Sequence, residues 1–188
     1  FPLGYTISPS LYDLAPAALR WYYENSKEGD YFVAGPSGSS YIFPSKMSDA
    51  DLDDYLAKLN EYVDKSGLNI CNILDQKIMD NPRVYSKYLA QPNIDAIFYT
   101  GDGRIKFSDN GKPVIEQRSV LWEGIDGGSN RGEESTVISQ INSRSANPHS
   151  ADGYTFVFVH CWTKNQQSIK TVIDGLNDNV RVVPVDQF

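Results

Sequence analysis

Short apolar segments recur along the chain, at intervals that leave room for a helix between them. Each has the length of a strand, and β-branched and aromatic residues are frequent in them. We predict seven strands from this pattern, at residues 4–7, 31–34, 68–74, 94–99, 119–122, 154–159 and 180–185. The chain therefore alternates between extended segments and the longer segments that separate them.

The separating segments carry apolar residues at helical spacing. The clearest example places Leu52, Leu56 and Leu59 on one face, between Ser48 as a predicted N-cap and Gly67 as a predicted end. Further helices are predicted at residues 11–22, 81–90, 137–141 and 169–176. Strands that alternate with amphipathic helices are typical of a parallel sheet covered on both faces.

The pattern predicts a single α/β domain over residues 1–188. We expect a seven-stranded parallel β/α arrangement, either an incomplete β/α barrel or an open doubly wound sheet, and spacing does not separate the two. Residues 104–114 add a small β-hairpin insertion, because Asp109, Asn110 and Gly111 form a strong turn signal. Residues 124–132 are predicted to be a polar, glycine-rich loop.

Charge and composition narrow the possible partners. The formal net charge of −7 argues against nucleic acid and anionic membranes, which require a basic surface. The longest apolar run, at residues 154–162, is too short for a membrane helix. Cys71 and Cys161 form neither a metal-ligand spacing nor a disulfide framework. The chain starts at Phe1 without a methionine, so we expect it to be part of a longer protein.

Acidic and aromatic residues follow several predicted strands. In parallel β/α folds the loops after the strands converge and bind ligands. Asp75, Asp102 and Glu123 follow three strands, and His160 and Trp162 follow a fourth. Carboxylates and aromatic rings together are typical of a sugar site. Taken singly, however, an acid could be a helix cap or a turn former, and His160 could be a buried structural histidine.

Sharper catalytic motifs fail on inspection. Residues 35–39 resemble a nucleophile elbow, but Ser39 stands where that motif requires glycine. The glycines of residues 124–132 lack the lysine of a phosphate loop, and Glu133 and Glu134 follow them. With only His149 and His160 in the chain, a histidine-rich zinc site is disfavoured. We therefore predict no metal and no cofactor.

The segment at residues 30–44 is the most distinctive in the chain. Within it, Gly38, Tyr41 and Pro44 match the signature of the GxGYxYP family, whose C-terminal domain this chain resembles. Ser40 and Phe43 depart from it, since the family name implies glycine and tyrosine there. Residues 3–16 and 111–122 also look like this family.

The resemblance implies a glycoside hydrolase domain of bacteria that degrade glycans. It further implies an extracellular or periplasmic location, with carbohydrate and the N-terminal domain of the same protein as partners. By fold analogy the arrangement is also similar to the seven-stranded barrels of polysaccharide deacetylases. Their closely spaced histidine pair is absent, which disfavours that chemistry.

These observations lead to a hypothesis of glycan hydrolysis by carboxylate acid/base catalysis. We predict Asp75 and Asp102 as the catalytic pair, with Glu123 as a substitute. The predicted substrate-binding residues are Ser37, Gly38, Tyr41, His160 and Trp162. One alternative is a module without catalysis that binds carbohydrate or packs against another domain. Another is an esterase that uses Ser37 or Ser8 with His160.

Overall fold

The computed structural model describes residues 1–75, 77–123 and 131–188. Helices and strands alternate along most of this chain. The strands are β1 (Leu3–Ile7), β2 (Asp30–Ala34), β3 (Ile70–Ile73), β4 (Ala96–Thr100), β5 (Ile105–Phe107), β6 (Pro113–Gln117), β7 (Ser119–Leu121), β8 (Arg131–Gly132) and β9 (Val157–Val159). The α-helices are α1 (Leu11–Leu14), α2 (Pro16–Asn25), α3 (Asp49–Ser66), α4 (Pro82–Leu89), α5 (Glu134–Asn142) and α6 (Gln166–Asp174).

The strands form two sheets. The larger sheet has six strands in the order β1-β2-β3-β4-β6-β5, and the smaller has three in the order β8-β7-β9. Neighbours from β1 to β4 run parallel, whereas β5 and β6 form the antiparallel hairpin that the sequence predicts. In the smaller sheet β7 is parallel to both β8 and β9. The protein is therefore a mixed α/β structure with a mostly parallel main sheet.

The prediction of one series of seven parallel strands differs from this arrangement. Strand β6 of the hairpin lies beside β4, the position that a continuous series would have given to β7. Residues 180–184 form no strand, and a short 3₁₀ turn follows them at Val185–Gln187. Pro184 lacks the N–H that a sheet ladder requires there. The described strands form no closed barrel. Of the loop predicted at residues 124–132, residues 124–130 lie outside the described residues, and the last two form β8.

The contacts divide the chain into two compact units. The first contains Phe1–Thr100, Ile105–Ile115 and Pro184–Gln187, and the second contains Gly101–Arg104, Glu116–Val183 and Phe188. A single domain over residues 1–188 stays a prediction.

The first unit has a large apolar core around β2, β3, β4 and α3. Leu52, Leu56, Leu59 and Val63 of α3 are buried in it, as their spacing predicts. Helix α3 begins after Ser48, whose hydroxyl accepts the Asp51 N–H, and ends at Gly67 with a left-handed φ of 71°. Cap and apolar stripe together explain why this is the longest described helix.

The core of the second unit is smaller. Leu121, Val137 and Val172 are buried there, and partly exposed side chains of β9, α5 and α6 pack around them. Strand β9 is only half-buried, whereas the sequence indicates a fully buried strand. Among the described residues, no helix combines the length and the apolar character needed to cross a membrane.

Candidate functional site

The loop of residues 35–44 follows β2 and is held by buried hydrogen bonds. Ser37 is fully buried with a left-handed φ of 48°. Its hydroxyl donates to the Ile42 carbonyl over 2.8 Å and accepts the Leu74 N–H over 3.1 Å. Its carbonyl oxygen accepts the hydroxyls of Tyr55 and Tyr88, at 2.7 and 2.8 Å. A buried and mutually bonded network of this kind fixes the shape of a loop.

The same loop presents aromatic side chains to solvent. Tyr41 is 76% exposed, and its ring meets the Phe43 ring edge-on at a centroid distance of 6.4 Å. Gly38 lies beneath them with a φ of 98°, and a Cβ there would lie 2.4 Å from Cδ2 of Leu59. Gly38 therefore lets the loop approach α3, while Tyr41 points to solvent.

Asp75 follows β3 and holds the end of this loop. Only 5% of Asp75 is exposed. Its Oδ2 accepts the Ser45 N–H over 2.6 Å, and its Oδ1 accepts the Ser45 hydroxyl over 2.9 Å. From α4, Arg83 donates to the Met47 carbonyl and to the Asp49 carboxylate. Both oxygens of Asp75 thus serve to position the turn after Pro44.

Asp102 lies in the turn that follows β4. Its backbone N–H donates to Oε2 of Glu116 over 3.1 Å. The Asp102 side chain is exposed, and its carboxylate has no hydrogen bond or ion pair to another residue in the described part of the chain. In contrast to Asp75, Asp102 is free to contact a ligand.

Three rings, Trp122, His160 and Trp162, form what we call the aromatic cluster at the carboxyl ends of β7 and β9. The register pairs Leu121 with Val159, so the next residues, Trp122 and His160, lie side by side on the same face. Their rings stack with centroids 3.6 Å apart and planes 5° apart. Trp162 meets His160 edge-on at 5.4 Å and is 89% exposed.

Glu123 lies next to the aromatic cluster. Its N–H donates to Oγ1 of Thr163 over 3.4 Å, and the same oxygen lies 3.1 Å from Nδ1 of His160. Thr163 thereby connects the turn after β7 with the turn after β9. Glu123 itself is exposed and makes no ion pair within residues 1–75, 77–123 and 131–188. An exposed acid next to an aromatic cluster with one exposed ring, Trp162, matches what a sugar site requires.

The eight predicted site residues divide between the two units. Ser37, Gly38, Tyr41 and Asp75 belong to the first unit, and Asp102, Glu123, His160 and Trp162 belong to the second. The His160 ring contacts Trp162, and Thr163 bridges the His160 ring to the backbone of Glu123. That all eight surround one pocket stays a prediction.

Lys164 has a role that sequence reasoning missed. Its side chain is 6% exposed, and its ammonium pairs with Glu133 and with Glu134, the latter at 2.9 Å. The backbone N–H of Lys164 donates to the His160 carbonyl and closes the turn that carries Trp162. About 30 residues separate Lys164 from its acidic partners in sequence, so no local pattern could have predicted the pairing.

The bond to Lys164 lowers the pKa of the Glu134 carboxyl to about 2, so this acid stays charged in mildly acidic solution. In the described part of the chain, no three His, Cys, Asp or Glu side chains come together as possible metal ligands.

The profile of the family described as GxGYxYP putative glycoside hydrolase C-terminal domain matches residues 1–188. The chain belongs to this family. The search of curated proteins gave no match. A crystal structure of a protein described as a putative hydrolase from Bacteroides thetaiotaomicron VPI-5482 is 96% identical, with a TM-score of 0.96. That match covers 100% of this chain but only 38% of the other.

In this GxGYxYP domain the family signature lies in the loop after β2. Gly38 and Pro44 are buried, and Tyr41 is exposed. Ser40, which stands where the family name implies glycine, is exposed. Phe43, which stands in place of tyrosine, is 45% exposed. The positions that match therefore include both the buried support of the loop and its most exposed ring.

Proposed function

We propose that this GxGYxYP domain takes part in glycan hydrolysis, with its site at the carboxyl edge of the three-stranded sheet. The observation that carries the proposal is the exposed acid Glu123, which directly follows Trp122 of the aromatic cluster and whose backbone is bonded to Thr163. Aromatic rings bind the C–H faces of sugars, and carboxylates bind hydroxyls or transfer protons. The family description and the description of the related crystal structure as a hydrolase also support it.

Asp102 and Glu123 are the carboxylates that best fit acid/base work. Both belong to the second unit, both are exposed, and neither carboxylate is bonded to another described residue. Asp75 is less suited, since it is buried and both of its oxygens accept bonds from Ser45. In this proposal Asp75 holds the end of the signature loop within the first unit.

Each carboxyl group has a defined task in the reaction. One, protonated, donates its proton to the glycosidic oxygen as the bond to the anomeric carbon breaks. The other, ionised, either takes a proton from the attacking water or attacks the anomeric carbon itself. In the second case water, deprotonated by the first carboxylate, then hydrolyses the glycosyl ester and releases the second one. A separation of roughly 5 Å corresponds to retention, and about 6.5–9.5 Å to inversion. The anomer formed first, observed by NMR, distinguishes the two routes.

The other predicted residues bind the sugar in this proposal. Trp162 stacks on a sugar ring, and His160, fixed by Trp122 and Thr163, orients a hydroxyl. Tyr41 offers carbohydrate a separate exposed ring, on the signature loop of the first unit, whose shape Ser37 and Gly38 determine. The buried and bonded hydroxyl of Ser37 is poorly placed to act as an esterase nucleophile.

A second candidate is carbohydrate binding without catalysis. The 89% exposure of Trp162 favours it, because a binding module needs exposed rings and no catalytic pair. The chain also spans only 38% of the related crystal structure's chain, so catalytic groups of the whole protein can lie elsewhere.

A polysaccharide panel tests the proposal. The full-length protein is incubated with each polysaccharide, and both new reducing ends and bound protein are measured. We expect hydrolysis of at least one polysaccharide, and a loss of affinity of about tenfold in Trp162→Ala. Phe107→Ala, which removes an exposed ring from the hairpin, should bind normally. Binding of a polysaccharide without new reducing ends would favour the binding module over the enzyme. If the protein neither binds nor hydrolyses any polysaccharide, both proposals fail.

A further inference from the structure

The turn that carries Asp102 is wrapped around a buried carboxylate. Oε2 of Glu116 accepts the N–H groups of Asp102 and Arg104, at 3.1 and 2.9 Å. The Arg104 guanidinium adds two bonds, from Nε to Oε2 over 2.9 Å and from Nη2 to Oε1 over 2.7 Å. The carboxylate thus binds two backbone amides and the side chain of the same four-residue turn.

Burial of the Glu116 charge costs free energy that its hydrogen bonds must offset. The Glu116 side chain is 0% exposed, whereas that of Arg104 is 42% exposed. A buried carboxylate destabilises a fold unless charged and N–H donors surround it, so Glu116 depends on the turn as much as the turn depends on Glu116. Charge-assisted bonds to backbone N–H groups are stronger and shorter than neutral ones.

Two glycines allow the turn to approach Glu116 and Arg118 closely. A Cβ at Gly101 would lie 2.4 Å from Cδ of Glu116. Gly103 has a φ of 81°, and a Cβ there would lie 2.3 Å from Nε of Arg118. Arg118 also donates to the Gly103 carbonyl and to the Asp152 carbonyl. Residues on both sides of the turn therefore restrain its backbone.

We propose that Glu116 is the positioning residue of Asp102. The Glu116 carboxylate accepts the backbone N–H of Asp102 and so fixes the Asp102 backbone. The Asp102 carboxylate stays exposed at the carboxyl end of β4. This role rests on the proposed function, in which Asp102 transfers a proton. Catalysis requires such a group to be held within a fraction of an ångström, and displacement by about 1 Å can cost about 100-fold in rate.

Glu116→Gln in the full-length protein tests the role, because glutamine keeps the size but removes the charge. We expect amide hydrogen exchange at Asp102 and Arg104 to accelerate about tenfold as their charge-assisted bonds weaken. We also expect kcat to fall by about 10-fold to 100-fold with KM within twofold. Glu61→Gln, at an exposed ion pair with Lys58, is the matched control and should change neither.

The outcomes separate the two proposals. Unchanged amide hydrogen exchange at Asp102 and Arg104 in Glu116→Gln overturns the positioning role. An unchanged kcat of Glu116→Gln also overturns it, if Asp102→Asn abolishes turnover. If Asp102→Asn is fully active, the catalytic assignment of Asp102 fails, and exchange alone then decides whether Glu116 holds the turn. Should Glu116→Gln not fold, Glu116→Asp withdraws the carboxylate by one methylene, and the same two changes are expected of it.

Discussion

At the residue scale, three partly buried ion pairs shape the turns of the second unit. Glu116 pairs with Arg104 at the turn after β4, and Lys164 pairs with Glu133 and Glu134 below the turn after β9. Breaking a buried pair is more costly than losing an exposed one, because the remaining charge stays without its partner. These turns carry the predicted site residues Asp102, His160 and Trp162, so the charged pairs support the site.

The pair between Lys164 and Glu134 predicts a dependence of stability on pH. Hydrogen bonding to Lys164 lowers the pKa of Glu134 to about 2 in the folded state. A lowered folded pKa stabilises the fold above the unfolded value of roughly 4.3, and this contribution is lost as the pH falls towards 2. Glu134→Gln should therefore be less stable than the wild type near neutral pH, and the difference should shrink below about pH 4.

Urea unfolding at several pH values measures this difference. Glu28→Gln, at an exposed acid of the first unit, should show no such convergence with the wild type. A gap between Glu134→Gln and the wild type that stays constant down to pH 3 would contradict the assignment of the lowered pKa.

At the element scale, the loop after β2 depends on close contact with α3. Gly38 and Gly111 share a positive φ, of 98° and 80°, but only Gly38 faces a neighbour that a Cβ would strike. Gly38→Ala adds a clash with Leu59 to the backbone strain, whereas Gly111→Ala, in open space at the hairpin turn, adds the strain alone.

We predict that Gly38→Ala lowers the free energy of unfolding by about 1–3 kcal/mol more than Gly111→Ala does, since overpacking in a filled core costs that much. Denaturant unfolding of the two variants measures the difference. Equal losses of unfolding free energy in the two variants would show that the loop does not pack closely against α3.

The local elements were largely predictable because their signals lie within the elements. The stripe of Leu52, Leu56 and Leu59 with its two caps predicted α3, and the turn at residues 109–111 predicted the hairpin. The strand order was not predictable, because whether β6 or β7 lies beside β4 depends on contacts between distant segments. For the same reason sequence indicated neither the stacking of Trp122 on His160 nor the burial of Glu116.

At the scale of the whole molecule, the two units differ in the size of their cores. The first buries α3, α4 and the central strands around one large apolar cluster. In the described part of the second, a cluster of three buried apolar side chains has partly exposed neighbours. Local stability follows the extent of apolar burial, so the units should open at different free energies.

Native-state hydrogen exchange tests this difference. Amides of β3 and β4 should exchange at least about tenfold more slowly than those of β7 and β9, because their opening exposes more apolar surface. Equal protection of both sets would show that the chain opens as one cooperative unit, in conflict with the division drawn from the contacts.

The proposed glycan hydrolysis depends on exposed carboxylates of the second unit. The most direct measurement is kcat on a hydrolysed glycan for Asp102→Asn and Glu123→Gln, with Asp109→Asn, at an exposed acid of the hairpin turn, as control. We predict that each of the first two variants loses about 10²–10⁴-fold in kcat, as the loss of a general acid or base requires. The control should keep its rate, and full activity in both Asp102→Asn and Glu123→Gln would contradict the proposed mechanism.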